Sequence, residues 1–132
     1  MVSGFIDGEG SFIFMYDSKR QRLFPKFSIS QKNIITLNKI KNCFPELKWN
    51  IGKSPSNSAY ALSVKGFTQC IKLFAFFDEY MLIEKDSQYK IWKFLIIKLA
   101  KENYDWKTKE KIWNIYKTKK DFGGFINEFK KL

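Results

Sequence analysis

From Ser11 to Asp17 an aromatic set, Phe12, Phe14 and Tyr16, alternates with Ser11, Ile13 and Met15, and the run reads as a strand. Arg22 to Gln31 repeats the pattern, setting Leu23, Pro25, Phe27 and Ile29 against Arg22, Phe24, Lys26, Ser28 and Ser30. The basic stretch Ser18, Lys19, Arg20, Gln21 supplies the turn between them, so a hairpin with one apolar and one mostly polar, basic face is predicted. Ile34, Leu37 and Ile40 then keep helical spacing up to Phe44, and Pro45 ends the helix. A short strand from Leu47 to Lys53 and the turn-rich residues 54–58 lead into a strand from Ala59 to Lys65. In it Tyr60, Leu62 and Val64 oppose Ala59, Ala61, Ser63 and Lys65, and Gly66 ends it. A helix is predicted over Phe67 to Tyr80 with a stripe of Phe67, Ile71, Phe74 and Phe77. Another spans Asp86 to Glu102, with Ile91, Leu95 and Leu99 facing a core. Trp106 to Lys119 and Phe122 to Leu132 read as short basic helices.

The chain of 132 residues carries 24 Lys and Arg against 13 Asp and Glu, a formal net charge of +11, and no histidine. That excess marks a polyanion binder, with nucleic acid foremost; an anionic membrane or acidic protein would also be attracted. Lacking histidine, the chain has no imidazole base and no His metal ligand, so any metal would be held by carboxylates and backbone oxygens, which suits Mg²⁺ or Mn²⁺. The length fits one domain over residues 1–132, and aromatics at 18% suffice to fill its core. Cys43 and Cys70 stand apart in apolar helical contexts and read as reduced core thiols. No apolar run approaches the roughly 18 residues of a membrane span, and no cleavable signal is expected ahead of residue 3, so no membrane partner is predicted.

The residues Ser3, Gly4, Phe5, Ile6, Asp7, Gly8, Glu9, Gly10, Ser11 and Phe12 carry the most specific chemistry. Gly4 and Gly8 share a helix face with Ser3 beside them, which lets a second helix backbone approach closely. Two such glycines cost roughly 1 kcal/mol each relative to Ala, and close helix pairing would offset them. Glu9 would sit at the helix C-terminus, where a carboxylate is disfavoured by roughly 0.3–1 kcal/mol and a divalent cation would reverse the sign. The plain alternative is a helix C-cap, with Gly8 and Gly10 making the turn and Glu9 solvated.

Over successive positions this run resembles the signature of the LAGLIDADG homing endonucleases in its G-F-I-D-G-E-G-S-F form. With the motif helix placed first, the element order αββαββα plus a helical tail is that of a LAGLIDADG half-domain, an α+β fold with a four-stranded antiparallel saddle sheet. The resemblance implies a metal-dependent double-strand DNA endonuclease. A chain with one motif would act as a homodimer on a pseudo-palindromic site. It implies a dimer interface at Ser3, Gly4, Asp7 and Gly8, with metal at Glu9 and the Gly8 backbone. Gln31, at the end of the second strand, and Lys85, opening the helix after the sheet, match the family's polar groups beside the metal, so Glu9, Gln31 and Lys85 form the implied catalytic set. The implied nucleic-acid face comprises Ser11, Ile13, Met15, Arg22, Phe24, Lys26, Ser28, Ser30, Lys53, Ala61, Ser63 and Lys65, with Lys19 and Arg20 at the hairpin tip. A strand pair in the major groove reads base edges through such side chains. The motif opens at Met1, Val2, Ser3, later than is usual in the family, which implies either a piece of a longer reading frame or a weaker dimer interface.

A competing reading keeps the fold but makes it an inactive RNA-binding protein, an intron maturase or a component of an organellar ribonucleoprotein such as a ribosome, since phosphate attraction does not separate RNA from DNA. Apolar Ile13, Met15 and Phe24 on the face favour it, and Lys107, Lys109, Lys111, Lys117, Lys119, Lys120, Lys130 and Lys131 would then offer a second phosphate surface. Trp106 or Tyr104 would stack on unpaired bases. Glu9, Gln31 and Lys85 favour the endonuclease. A third reading, a DNA-binding regulator without metal, keeps fold and dimer. Richness in Phe, Ile, Lys, Asn and Tyr points to an organelle, the mitochondrion before the chloroplast.

Overall fold

A computed structural model describes residues 10–53, 59–79 and 85–132. Strands β1 (Gly10–Asp17) and β2 (Arg22–Gln31) form the expected hairpin. It is closed by a tight turn in which Gln21 takes φ 52° and the Arg20 N–H donates to Asp17 Oδ1 at 3.2 Å. Helix α1 (Ile34–Cys43) is capped by Asn33, whose side chain accepts from the Ile35 N–H at 2.9 Å. Strands β3 (Asn50–Lys53) and β4 (Tyr60–Lys65) complete an antiparallel sheet of order β1-β2-β4-β3. There follow α2 (Phe67–Ile71), α3 (Phe74–Glu79), α4 (Asp86–Lys101), α5 (Trp106–Thr118) and α6 (Phe122–Phe129). This is the α+β architecture expected. Among the described residues no helix is long and apolar enough to cross a membrane.

One sheet face carries the core and the other is open. Phe12, Phe14, Leu23, Phe27, Ile29, Leu62 and Val64 are buried under Leu73, Phe77, Ile91, Trp92 and Leu95 of the helical layer. Phe12 sits at the centre, its ring 5.0–5.1 Å from those of Phe27, Phe77 and Trp92. Trp92 is fully buried, and its indole N–H donates to the Ile13 carbonyl at 3.0 Å. Tyr116 of α5 donates in the same way to the Phe12 carbonyl, so the edge strand β1 is tied down by helices rather than left to pair with another chain.

Pro25 interrupts an inner strand at no cost in ladder bonds, because β4 has ended there. The last β4 residue, Lys65, pairs with Lys26, and the next, Gly66, turns away at φ 98° while its N–H donates to the Pro25 carbonyl at 2.9 Å. A Cβ on Gly66 would meet nothing within 4 Å, so the left-handed φ and not space is what favours glycine.

Three expectations are corrected. The helix over Phe67 to Tyr80 is two helices: the Lys72 and Leu73 N–H groups bond three residues back, to Gln69 and Cys70, tightening the turn between them. The stripe therefore becomes Cys70, Leu73 and Phe77, and Ile71 is exposed. On α1, Leu37, Ile40 and Phe44 are buried, while Ile34 and Cys43 lie roughly 90° to either side of that stripe at 100° per residue and are exposed. Cys43 is thus a surface thiol, whereas Cys70 is the buried one, its pKa pushed up to about 12 by burial. The third strand is shorter than predicted, beginning at Asn50.

Candidate nucleic-acid interface

Strand alternation sends every second side chain to the open face, and register stacks these into rows. Ser11 pairs with Ser28, Ser28 with Ser63 and Ser63 with Asn50, giving a polar row across all four strands. On one side of it lie Ser30, Ala61 and Gly52; on the other, Ile13, Lys26 and Lys65. Beyond these come Met15 opposite Phe24, then Asp17 opposite Arg22, whose guanidinium stands 4.0 Å from the Asp17 carboxylate and 5.1 Å from the Phe24 ring centroid. Asp17 is the sole carboxylate on this face among the described residues. The polar and lysine rows line a shallow depression of about 550 Å³. Its floor is neutral or cationic, with Lys26 and Lys53 as its lysines, and Lys65 stands opposite Lys26 just outside it.

The face forecast from alternation is thus assembled: Ser11, Ile13, Met15, Arg22, Phe24, Lys26, Ser28, Ser30, Ala61, Ser63 and Lys65 all project from it, with Lys19 and Arg20 exposed at the hairpin tip. Lys53 pairs with Tyr60 and so has helix-side parity, yet it is exposed at the strand end and reaches the rim of the depression. Asn50 and Gly52 belong to the face as well. Alternation within a four-residue strand was too short a pattern to reveal them; pairing with Ser63 and Ala61 does.

Of the implied chemical centre, Ser3, Gly4, Asp7, Gly8 and Glu9 lie outside the described residues. Gln31 ends β2, two positions beyond Ile29, which pairs with Gly10. The residue after Glu9 and Gln31 therefore share one end of the sheet. By alternation Gln31 has helix-side parity, and its Oε1 accepts from the Lys32 N–H at 2.8 Å. Lys85 is the N-cap residue of α4, its carbonyl accepting from the Tyr89 N–H at 2.8 Å. Among the described residues no group of three or more His, Cys, Asp or Glu stands placed to hold a metal ion.

The C-terminal lysines divide. Lys117 lies over the Trp113 ring at 3.8 Å and Lys131 pairs with Glu128 at 3.3 Å. Trp106 is stacked on Tyr16, with centroids 5.1 Å apart, and the Tyr104 hydroxyl donates to Glu102. Burial pushes the Tyr104 phenol up to about 12, and the adjoining Glu102 adds to the shift.

Residues 2–96 match the family model described as LAGLIDADG endonuclease. The chain belongs to this family. None of the curated proteins matches it. Among solved structures, the I-SmaMI LAGLIDADG homing endonuclease bound to cleaved DNA is 27% identical at a TM-score of 0.74, over 98% of this chain and 47% of that one. I-SmaMI bound to uncleaveable DNA is 32% identical at 0.66, over 75% of this chain and 36% of that one. An archaeal intron-encoded homing endonuclease complexed with DNA, I-Vdi141I, shares the fold at 23% identity and 0.72, over 98% of this chain and 92% of that one. The described chain thus spans less than half of the I-SmaMI chains and nearly all of the archaeal one. The LAGLIDADG half-domain and its open sheet are accordingly shared features.

Proposed function

We propose that this protein is a site-specific, divalent-metal-dependent double-strand DNA endonuclease, acting as a homodimer with one half-domain on each half of a pseudo-palindromic site. The observation that carries the reading is the open sheet face, cationic at Lys26, Lys65 and Arg22 and lined with small hydroxyl side chains. Successive residues on one face of a strand are about 6.6–6.8 Å apart, close to two base steps of about 3.4 Å, so Ser30, Ser28, Lys26 and Phe24 would advance by about two base pairs each. Serines accept and donate to any base edge, lysine donates to guanine O6 and N7, and Met15 and Phe24 suit thymine methyls. Two copies are proposed because these residues carry one acidic motif, and an isologous pair would place one half-domain on each half of a two-fold-symmetric site.

For the chemistry, the Glu9 carboxylate and the Gly8 main-chain oxygen would hold Mg²⁺ or Mn²⁺, an all-oxygen donor set consistent with a chain that has no histidine. Such an ion, when bound, supplies charge stabilisation to the phosphoryl group under attack. Gly4, Gly8 and Ser3 would let the partner's helix approach, with Asp7 satisfying its backbone donors, and so set the two Glu9 carboxylates side by side. Gln31, at the end of β2, and Lys85, at the N-cap of α4, would orient the scissile phosphate and its water.

The test is cleavage of a randomised duplex library with Mg²⁺ by the protein and by Glu9→Gln. One site cut with short staggered ends, lost in the variant while duplex binding persists, is expected. Cutting by the variant at the original rate, or none by the protein with either metal, would overturn the assignment.

A further inference from the structure

Where β4 stops at Lys65 and β2 runs on to Arg22, the sheet has a notch of about 510 Å³. Three cations from three elements line it: Arg22 from β2, Lys65 from β4 and Lys109 from α5, joined by the Gln21 side chain at the hairpin turn. No carboxylate is among the lining residues. The backbone adds a donor. The Pro25 carbonyl faces the β4 side, where it accepts from Gly66, and strand alternation turns the main-chain N–H of Leu23, a lining residue, the same way. Of the acidic neighbours, Asp17 stands 4.0 Å from Arg22 and offsets part of its charge, while Glu110 accepts from the Tyr16 hydroxyl at 2.9 Å, so the notch keeps a net positive charge through Lys65 and Lys109. Lys109 itself lies outside the matched residues 2–96.

We infer that this notch binds a phosphate group, and that the occupant is a backbone phosphodiester of the duplex lying on the sheet, at the outer end of each half-site. Converging ammonium and guanidinium groups with an adjacent main-chain N–H make a site for a compact tetrahedral anion. It lies just past the Met15 and Phe24 row, the outermost base-facing row, where a strand of the duplex must leave the groove and present its backbone. Helix α5 thereby acts as a clamp that fixes how far the duplex extends along β2, a role that positions bases without reading them. The inference rests on the DNA-binding reading above.

Duplex affinity is measured against salt concentration for the protein, for Lys109→Ala and for Lys107→Ala, an exposed neighbour on the same helix. Each phosphate contact contributes a slope of about 0.9 in log K against log salt, so raising salt fourfold should weaken the Lys109 variant about 3.5-fold less than the protein. Lys107→Ala should keep the full slope. A single methylphosphonate walked along the half-site should weaken the protein at one outer phosphate and leave Lys109→Ala indifferent there. Competition by inorganic phosphate alone, without sensitivity to any methylphosphonate, would make the occupant a free anion and overturn the clamp. An unchanged slope in Lys109→Ala would overturn it also. Absence of salt-dependent duplex binding by the unsubstituted protein would instead sink the DNA reading itself.

Discussion

Lys26 on β2 and Lys65 on β4 stand directly opposite each other across the antiparallel pair, two like charges in register in the middle of the open face. Such a pair destabilises a sheet by roughly 0.2–1 kcal/mol, which a polyanion on that face would turn into attraction. Stability and binding are therefore opposed at this position.

Lys26→Met keeps the methylenes and removes the charge. It should raise the free protein's unfolding free energy by a few tenths of a kcal/mol while weakening duplex binding. If Lys26 reads a guanine, the loss will be about 1–3 kcal/mol and confined to one base pair. If it touches phosphate, the loss will be uniform across sequences with a shallower salt slope. Urea unfolding and binding to a base-substituted panel separate these outcomes, and a variant no more stable than the parent would argue against repulsion.

Helix α5 is docked by aromatic stacking on the hairpin. Tyr16 lies between Trp113, at 4.3 Å between centroids and 15° between planes, and Trp106, at 5.1 Å and 24°. Its phenol pKa is raised by the hydrogen bond to Glu110, then by burial and by the charge of that carboxylate. Trp113→Ala should cost about 2 kcal/mol, less than a fully buried aromatic, and should free α5 from the sheet. Tyr16→Phe keeps the stack and should cost less. Thermal unfolding ranks the two, and amide exchange in α5 should rise mainly in the first.

Acid sensitivity should trace to Asp78. Burial pushes its carboxyl pKa up, yet hydrogen bonds from Lys93 at 2.6 Å and Tyr89 at 2.7 Å, with the Lys93 charge, outweigh it and hold the value below the ordinary one. A depressed native pKa stabilises the fold above the unfolded value, about 3.9, and that contribution fades as pH falls through the native one. Because the side chain is 47% exposed, solvent screening limits the effect to about 0.5–1 kcal/mol. Asp78→Asn should therefore be less stable than the parent at pH 6 to 7, with the difference shrinking as pH falls below the unfolded value of about 3.9 and through the native one, as read from unfolding midpoints across pH.

The core side of β2 was legible without coordinates, because Leu23, Pro25, Phe27 and Ile29 oppose a mostly polar row; in β1 both sides carry apolar residues, and it is burial under the helices that selects Phe12 and Phe14 over Ile13 and Met15. The motif at residues 3–12 was equally local, since a specific signature needs only neighbours in sequence. Residues 67–79 were less legible: helical spacing admits several stripes, and only packing under the sheet selects Cys70, Leu73 and Phe77.

What the sequence by itself determined is the half-domain order and the polarity of the open face, carried by period and charge; Glu9, Gln31 and Lys85 are named as candidates by the family resemblance. What only the tertiary structure decided is which distant residues meet. Register set Asn50 beside Ser63 and Lys26 against Lys65, and the early end of β4 opened a notch that Lys109 enters from a helix more than forty residues further on. Such meetings depend on strand lengths and helix docking, which are settled by burial over the whole core, and no local pattern encodes them.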